Sequence, residues 1–181
     1  SFDLETSGLV IDDTSQVFTI ANTYRNSNGE IQRKLFRVDH YKNDGEMIFN
    51  WAEWIQKIDP TIILGHNIYR YDLPYLSKIA SKYEFILRLG KNDSPISYAK
   101  NTTAYRVDGS QTWDFHKIKV LGRHVIDTMF LAVKYDIGRN YSSWGLKPII
   151  EHEGLIKEGR QFYDASNIAK NWDNLEEREK I

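Results

Sequence analysis

The sequence predicts an α/β protein whose layers are built around a mixed β-sheet. Two observations carry that expectation. Three β-forming segments stand at the start with a tight-turn signal between the second and third, which reads as an antiparallel meander. After them, amphipathic helical patterns alternate with very short apolar runs, the mark of buried parallel strands reached by crossover helices.

The first strand is Ser1–Thr6, where Phe2 and Leu4 alternate with Asp3 and Glu5. The next two are Gln16–Tyr24 and Gln32–Val38, with Asn28-Gly29 as the hairpin turn. Glu46–Ile58 follows as a helix with Met47, Trp51, Trp54, Ile55 and Ile58 on one face, ended by Asp59-Pro60. Thr61–Leu64 (TIIL) is the buried parallel strand, and Leu73–Tyr83 the next helix, with Pro74 near its start. Glu84–Val120 is polar and rich in Tyr and Trp, with strand-like runs at Thr103–Val107 and Thr112–Val120, and reads as an inserted β-hairpin. His124–Ile126 is the last strand and Thr128–Tyr135 a helix. Trp144–Glu153, Asn167–Asn171 and Leu175–Ile181 are expected as short helices.

Composition narrows the chemistry. The chain has 181 residues, 41% hydrophobic and 27% charged, enough for one domain with a sizeable core. It has no cysteine, so disulfides and thiolate metal sites are excluded. Any metal would therefore be held by oxygen or imidazole, and the five histidines show no spacing that indicates zinc. A net charge of −1 shows no basic nucleic-acid footprint, yet a carboxylate site can meet a phosphate substrate through bound cations. No run of eighteen apolar residues occurs, so no membrane span and a cytoplasmic location are expected, nucleoid-associated if the source is bacterial.

Asp3 and Glu5 project from the same face of an extended strand. Two carboxylates held side by side repel, and hard divalent cations that prefer oxygen ligands are the usual compensation. The spacing alone is weak evidence: Asp44-Gly45-Glu46 repeats it in a polar turn, where helix N-terminal charges explain it better. A second acidic motif raises the first, namely Gly65-His66-Asn67-Ile68-Tyr69-Arg70-Tyr71-Asp72-Leu73-Pro74. Taken alone, Asp72 suits a helix N-cap as well as a ligand.

Asp3-x-Glu5-Thr6 followed by Asn67-x₃-Tyr71-Asp72 resembles the first two motifs of the DEDD (DnaQ-like) 3′–5′ exonuclease superfamily. It is most similar to the proofreading domain of family B DNA polymerases and to related stand-alone bacterial exonucleases. Gly122–Thr128 and Ser143–Lys147 resemble the family's later strand and following helix. The resemblance implies an RNase H-like mixed sheet flanked by helices. It also implies two-metal hydrolysis of the 3′-terminal phosphodiester of single-stranded DNA, releasing nucleoside 5′-monophosphates. Asp3, Glu5 and Asp72 would be the catalytic ligands of two Mg²⁺ or Mn²⁺ ions. Thr6, Leu9, Asn67 and Tyr71 would contact the terminal nucleotides, Tyr71 by stacking on a base. Asp127 is expected to cap or support a helix, because the family places its fourth carboxylate later.

That third motif, Tyr-x₃-Asp or His-x₄-Asp, is absent from the sequence. The expectation is a single domain over residues 1–181, truncated before the third motif and clipped at its N-terminus. The competing readings are a catalytically inactive single-strand-binding module and an RNA 3′–5′ exonuclease. A polymerase domain or a replication or repair complex is the expected partner. Lys91, Lys100, Arg106, Lys117 and Lys119, interleaved with Tyr98, Tyr105 and Trp113, suggest a strand-guiding surface, although a solvated hairpin is the preferred reading.

Overall fold

A computed structural model describes residues 1–156, 159 and 163–181. β1 (Phe2–Thr6) pairs antiparallel with β2 (Val17–Arg25), and β2 with β3 (Ile31–Arg37). Gly29, at φ 82°, makes the turn between β2 and β3, where the left-handed conformation requires a residue without Cβ. The inward residues Phe2, Leu4, Ile20 and Phe36 are buried against α1 (Asp44–Ile58).

α1 starts two residues before the expected Glu46. Asn43 caps it by accepting the Glu46 amide at 2.9 Å, and apolar periodicity cannot register a polar first turn. Asp44 is buried in that turn and accepts the Val17 amide at 3.0 Å, so its spacing with Glu46 serves the fold. Met47, Ile48, Trp51, Ala52 and Ile55 form the buried face, with Trp54 and Ile58 at its edge. Trp51 packs on Phe2 with ring centroids 5.0 Å apart, and its Nε1 donates to Asn22 Oδ1 at 3.0 Å. Asn22 in turn donates to the carbonyls of Ile20 and Lys34, so the buried polar group is satisfied.

β4 (Ile62–Gly65) runs parallel to β9 (His124–Asp127) with Gly65 opposite Asp127. β1 lies against β4 without a regular hydrogen-bonded ladder among the described residues. The expected mixed sheet is therefore an antiparallel three-stranded ladder set beside a parallel pair. At Gly65 a Cβ would run into Ile68 and come within 3.0 Å of the Phe2 carbonyl oxygen, so only glycine allows the approach. α2 (Asp72–Lys82) follows and buries Leu73, Tyr75, Leu76 and Ile79 in the same core.

The inserted segment keeps within the expected Glu84–Val120 but holds more strand than the two expected runs. A small ladder, β5 (Arg88–Gly90) with β6 (Ser94–Pro95), precedes the hairpin of β7 (Ser97–Arg106) and β8 (Thr112–Lys119). The first half of β7 is polar and exposed on both faces, so no alternation betrays it. The hairpin packs on α3 (Thr128–Tyr135) through Val107, Trp113, Met129, Phe130 and Val133. Tyr105 stacks on Phe130 at 4.6 Å. Tyr105 and Trp113 are thus packing residues, which removes them from the suggested strand-guiding surface. Lys91 is held by Asp59 at 2.8 Å, whereas Lys100, Arg106, Lys117 and Lys119 are exposed.

α4 (Leu146–His152), α5 (Ile168–Asn171) and α6 (Leu175–Arg178) complete the chain. α4 starts after Gly145 rather than at Trp144, and α6 is shorter than expected. Trp172 stacks on Phe18 at 4.6 Å, fastening the C-terminal segment to β2. No helix among the described residues is long and apolar enough to cross a membrane.

Candidate active site

Acidic side chains from β1 and from the start of α2 meet at one end of the sheet. Asp3 keeps a solvent-facing edge, Glu5 is half-buried and Asp72 is only 3% exposed. Burial raises the Asp3 pKa, opposed by the Leu4 amide and by the nearby His66. Glu5 is pushed up to about 7, chiefly by burial and then by the charge of Asp3, while Lys147 on α4 acts in the other direction. Asp72 is pushed up to about 8 by burial first and by Asp3 second. Its own backbone amide and that of Leu4 oppose the rise, and Asp127 adds to it. The Leu4 amide thus acts on both Asp3 and Asp72, which places these two carboxyls at the same strand. Glu5 joins them through the field of Asp3.

Asp72 is the first helical residue of α2, not its cap. Tyr71 occupies the cap position, with φ −127° and ψ −73°, and its side chain makes no capping bond. The N-cap alternative for Asp72 is thereby set aside.

The loop from Gly65 to Tyr71 is shaped by Asp127. Its Oδ1 accepts the Asn67 amide at 2.9 Å and the Met129 amide at 3.0 Å, and its Oδ2 accepts the Tyr69 amide at 3.2 Å. One buried carboxylate therefore caps α3 and sets the motif loop, the cap or support expected of it. Asn67 adopts φ 69°, a left-handed conformation that Asn tolerates better than most residues. Its Oδ1 is buried with no hydrogen-bond partner.

Tyr71 turns its phenol toward the β1–β2 loop. Its hydroxyl donates to the Gly8 carbonyl at 2.9 Å and lies 2.5 Å from Thr6 Oγ1. Thr6 is buried and also reaches Gly8 O, at 3.1 Å. Leu9 is 83% exposed on this loop. Leu9, Asn67, Tyr71, Tyr98, Phe115 and His116 line a cleft of about 550 Å³. All seven residues singled out from the motifs thus lie around the junction of β1, its following loop and the start of α2.

His66 is a site residue that no motif spacing in the sequence marks. Its position at the C-terminal end of a strand, just before Asn67, was the available signal. Its Nδ1 lies 3.0 Å from Thr128 Oγ1 and its Nε2 2.7 Å from the Trp144 carbonyl oxygen.

Among the described residues, no three His, Asp or Glu side chains are gathered closely enough to hold a metal ion. The donor chemistry nevertheless suits a hard divalent cation. The donors are all oxygen, crowded, and resist ionisation together in the absence of a counter-charge. They fit such an ion as part of a ligand shell.

Comparison with known proteins identifies the family and the fold. The sequence profile described as "DNA polymerase family B, exonuclease domain" matches residues 1–149. The DNA polymerase delta catalytic subunit of Schizosaccharomyces pombe is 31% identical over 124 residues, covering 57% of this chain and 11% of that protein. DNA polymerase II of Escherichia coli K12 is 26% identical over 150 residues, covering 83% of this chain and 17% of its own length. The chain thus spans less than a fifth of either relative. A family B DNA polymerase structure from Pyrobaculum calidifontis superposes with a TM-score of 0.69 at 20% identity, over 99% of this chain and 21% of that one. The fold is therefore the RNase H-like α/β arrangement, and the chain belongs to the exonuclease-domain family of the family B DNA polymerases.

Proposed function

We propose that this domain is a metal-dependent 3′–5′ exonuclease that hydrolyses the 3′-terminal phosphodiester of single-stranded DNA and releases nucleoside 5′-monophosphates. What supports the reading is that Asp3 acts electrostatically on both Glu5 and Asp72, and that the motif loop carrying Asn67 and Tyr71 lines the adjacent cleft. Asp3, Glu5 and Asp72 would hold two Mg²⁺ or Mn²⁺ ions. Such ions, when bound, activate a water and stabilise the charge of a phosphoryl-transfer transition state. The unpartnered Asn67 Oδ1 is an acceptor for a nucleotide N–H or O–H group. Thr6 and Tyr71 fix the loop that carries Leu9, so the apolar Leu9 side chain stands where a base can pack on it. A DNA polymerase domain is the proposed partner, supplying the strand end.

A second reading is a single-strand-binding module without chemistry, since among the described residues no three His, Asp or Glu side chains are gathered closely enough to hold a metal ion. A 5′-labelled oligonucleotide incubated with the protein carrying this domain separates the two. The exonuclease reading expects stepwise shortening from the 3′ end in Mn²⁺ or Mg²⁺, none in EDTA, and none with Asp3→Ala. Retention of the strand without shortening would favour the binding module. A matched RNA oligonucleotide run alongside reports the preference for the 2′-position.

A further inference from the structure

We propose that His66 is a positioning residue whose imidazole ties the start of α4 to the C-terminal end of β4 and so holds the wall of the site beside Asp3. The Trp144 carbonyl can only accept, so the hydrogen in its 2.7 Å contact belongs to Nε2 of His66. On the other side of the ring, Thr128 Oγ1 lies 3.0 Å from Nδ1 and also 3.0 Å from the Gly65 carbonyl oxygen. One side chain thereby joins the end of β4, the first residue of α3 and the backbone two residues before α4. These are segments more than sixty and more than seventy residues away in the chain.

Residues 136–145 return from α3 to α4 without helix or strand. Asp136 holds the Asn140 and Tyr141 amides and Arg139 the Val107 carbonyl, whereas the stretch next to α4 is tied by the Trp144 carbonyl. The Trp144 indole packs edge-on against Trp113 at 5.8 Å, and its Nε1 is buried without a partner. The Arg139 guanidinium lies over its ring at 5.4 Å, and the carbonyl on His66 is the polar contact that leads to the end of β4. The next residue but one, Leu146, lines a cleft of about 390 Å³ together with Asp3, Gly65, His66 and Thr128. Lys147 then directs its charge toward Glu5. Releasing Trp144 would loosen the backbone from which Leu146 and Lys147 project, while the Lys147 ammonium keeps its bond to the Tyr163 carbonyl and Asp3, Glu5 and Asp72 stay on their own elements.

The consequence for catalysis rests on the exonuclease reading, whereas the clamp itself does not. Hydrogen exchange on His66→Ala should show amides of the Gly145–Ile149 segment exchanging about five- to ten-fold faster, the scale of one lost hydrogen bond. Exchange in β2 should stay at wild-type rates. His66→Gln, which can again donate to the Trp144 carbonyl, should restore protection. In the oligonucleotide assay, His66→Ala should lower kcat/KM by about ten-fold, and His66→Gln should recover most of that loss. Unchanged exchange at Gly145–Ile149, or His66→Gln losing as much kcat/KM as His66→Ala, would overturn the proposal. If His66→Ala loosens β2 as well, His66→Gln decides: failure to return the segment to wild-type exchange overturns the clamp. A wild-type protein without nuclease activity would count against the exonuclease reading alone, and the exchange rates at Gly145–Ile149 would still support or overturn the role of His66.

Discussion

Asp72→Asn is expected to lower the exonuclease rate by about 10²–10³-fold, the scale of losing one preorganised group that stabilises transition-state charge. The same substitution should make the metal-free protein more stable at pH 8. The two effects have one cause. The Asp72 carboxyl is almost fully buried near Asp3, which raises its pKa from 3.8 to about 8, and Glu5 rises from 4.5 to about 7. Below about pH 4 these groups are neutral in both the folded and the unfolded chain and cost nothing. Between about pH 4 and 8 the folded state retains protons that the unfolded state has lost, so stability falls as pH rises. Above about pH 8 the whole penalty is present. Urea midpoints in EDTA should therefore decline from pH 5 to pH 8 in the wild type. Asp72→Asn should show a shallower decline, leaving mainly the part due to Glu5. Added Mg²⁺ at pH 8 should raise the wild-type midpoint and raise that of Asp72→Asn less. A wild-type midpoint that climbs with pH in EDTA would contradict the crowded-carboxylate account.

Asp127→Ala should destabilise the fold by roughly 2–4 kcal/mol. It removes an N-cap, worth about 1 kcal/mol, and strips the acceptor from the Asn67 and Tyr69 amides. It should also abolish most activity, although Asp127 makes no contact with the proposed ligands beyond its field on Asp72. The reason is that Asn67 depends on this carboxylate to hold its left-handed turn at the mouth of the cleft. Asp127→Asn should fall between the two. Its oxygen can still serve the amides of Asn67 and Met129, but its NH₂ group would face the Tyr69 N–H, a donor against a donor. Chemical denaturation and the oligonucleotide assay on the same three proteins check the order. Equal stability of Asp127→Ala and wild type would refute the loop-holding role.

Much of the fold was legible because it rests on local periodicity. The β2–β3 hairpin follows from Asn28-Gly29, α1 from its five apolar positions, and β4 from four consecutive residues bounded by turn formers. What stayed hidden was polar. The cap at Asn43, the first half of β7 and the ladder of β5 and β6 carry no apolar rhythm, so hydrophobic periodicity passes over them even where their bonds are local.

The site divides along the same line. By itself, the sequence determined which side chains are acidic, that Asp3 and Glu5 share a strand face, and that Asp72 opens a helix after an Asn-bearing loop. Only the tertiary structure decided that Asp72 comes to rest beside Asp3, that Tyr71 spends its hydroxyl on Gly8, and that His66 reaches Trp144. The physical reason is range. Backbone periodicity acts over a few residues, whereas the encounter of β1 with α2 is settled by burying the apolar faces of elements more than sixty residues apart, and that of β4 with the start of α4 by a hydrogen bond across a similar span.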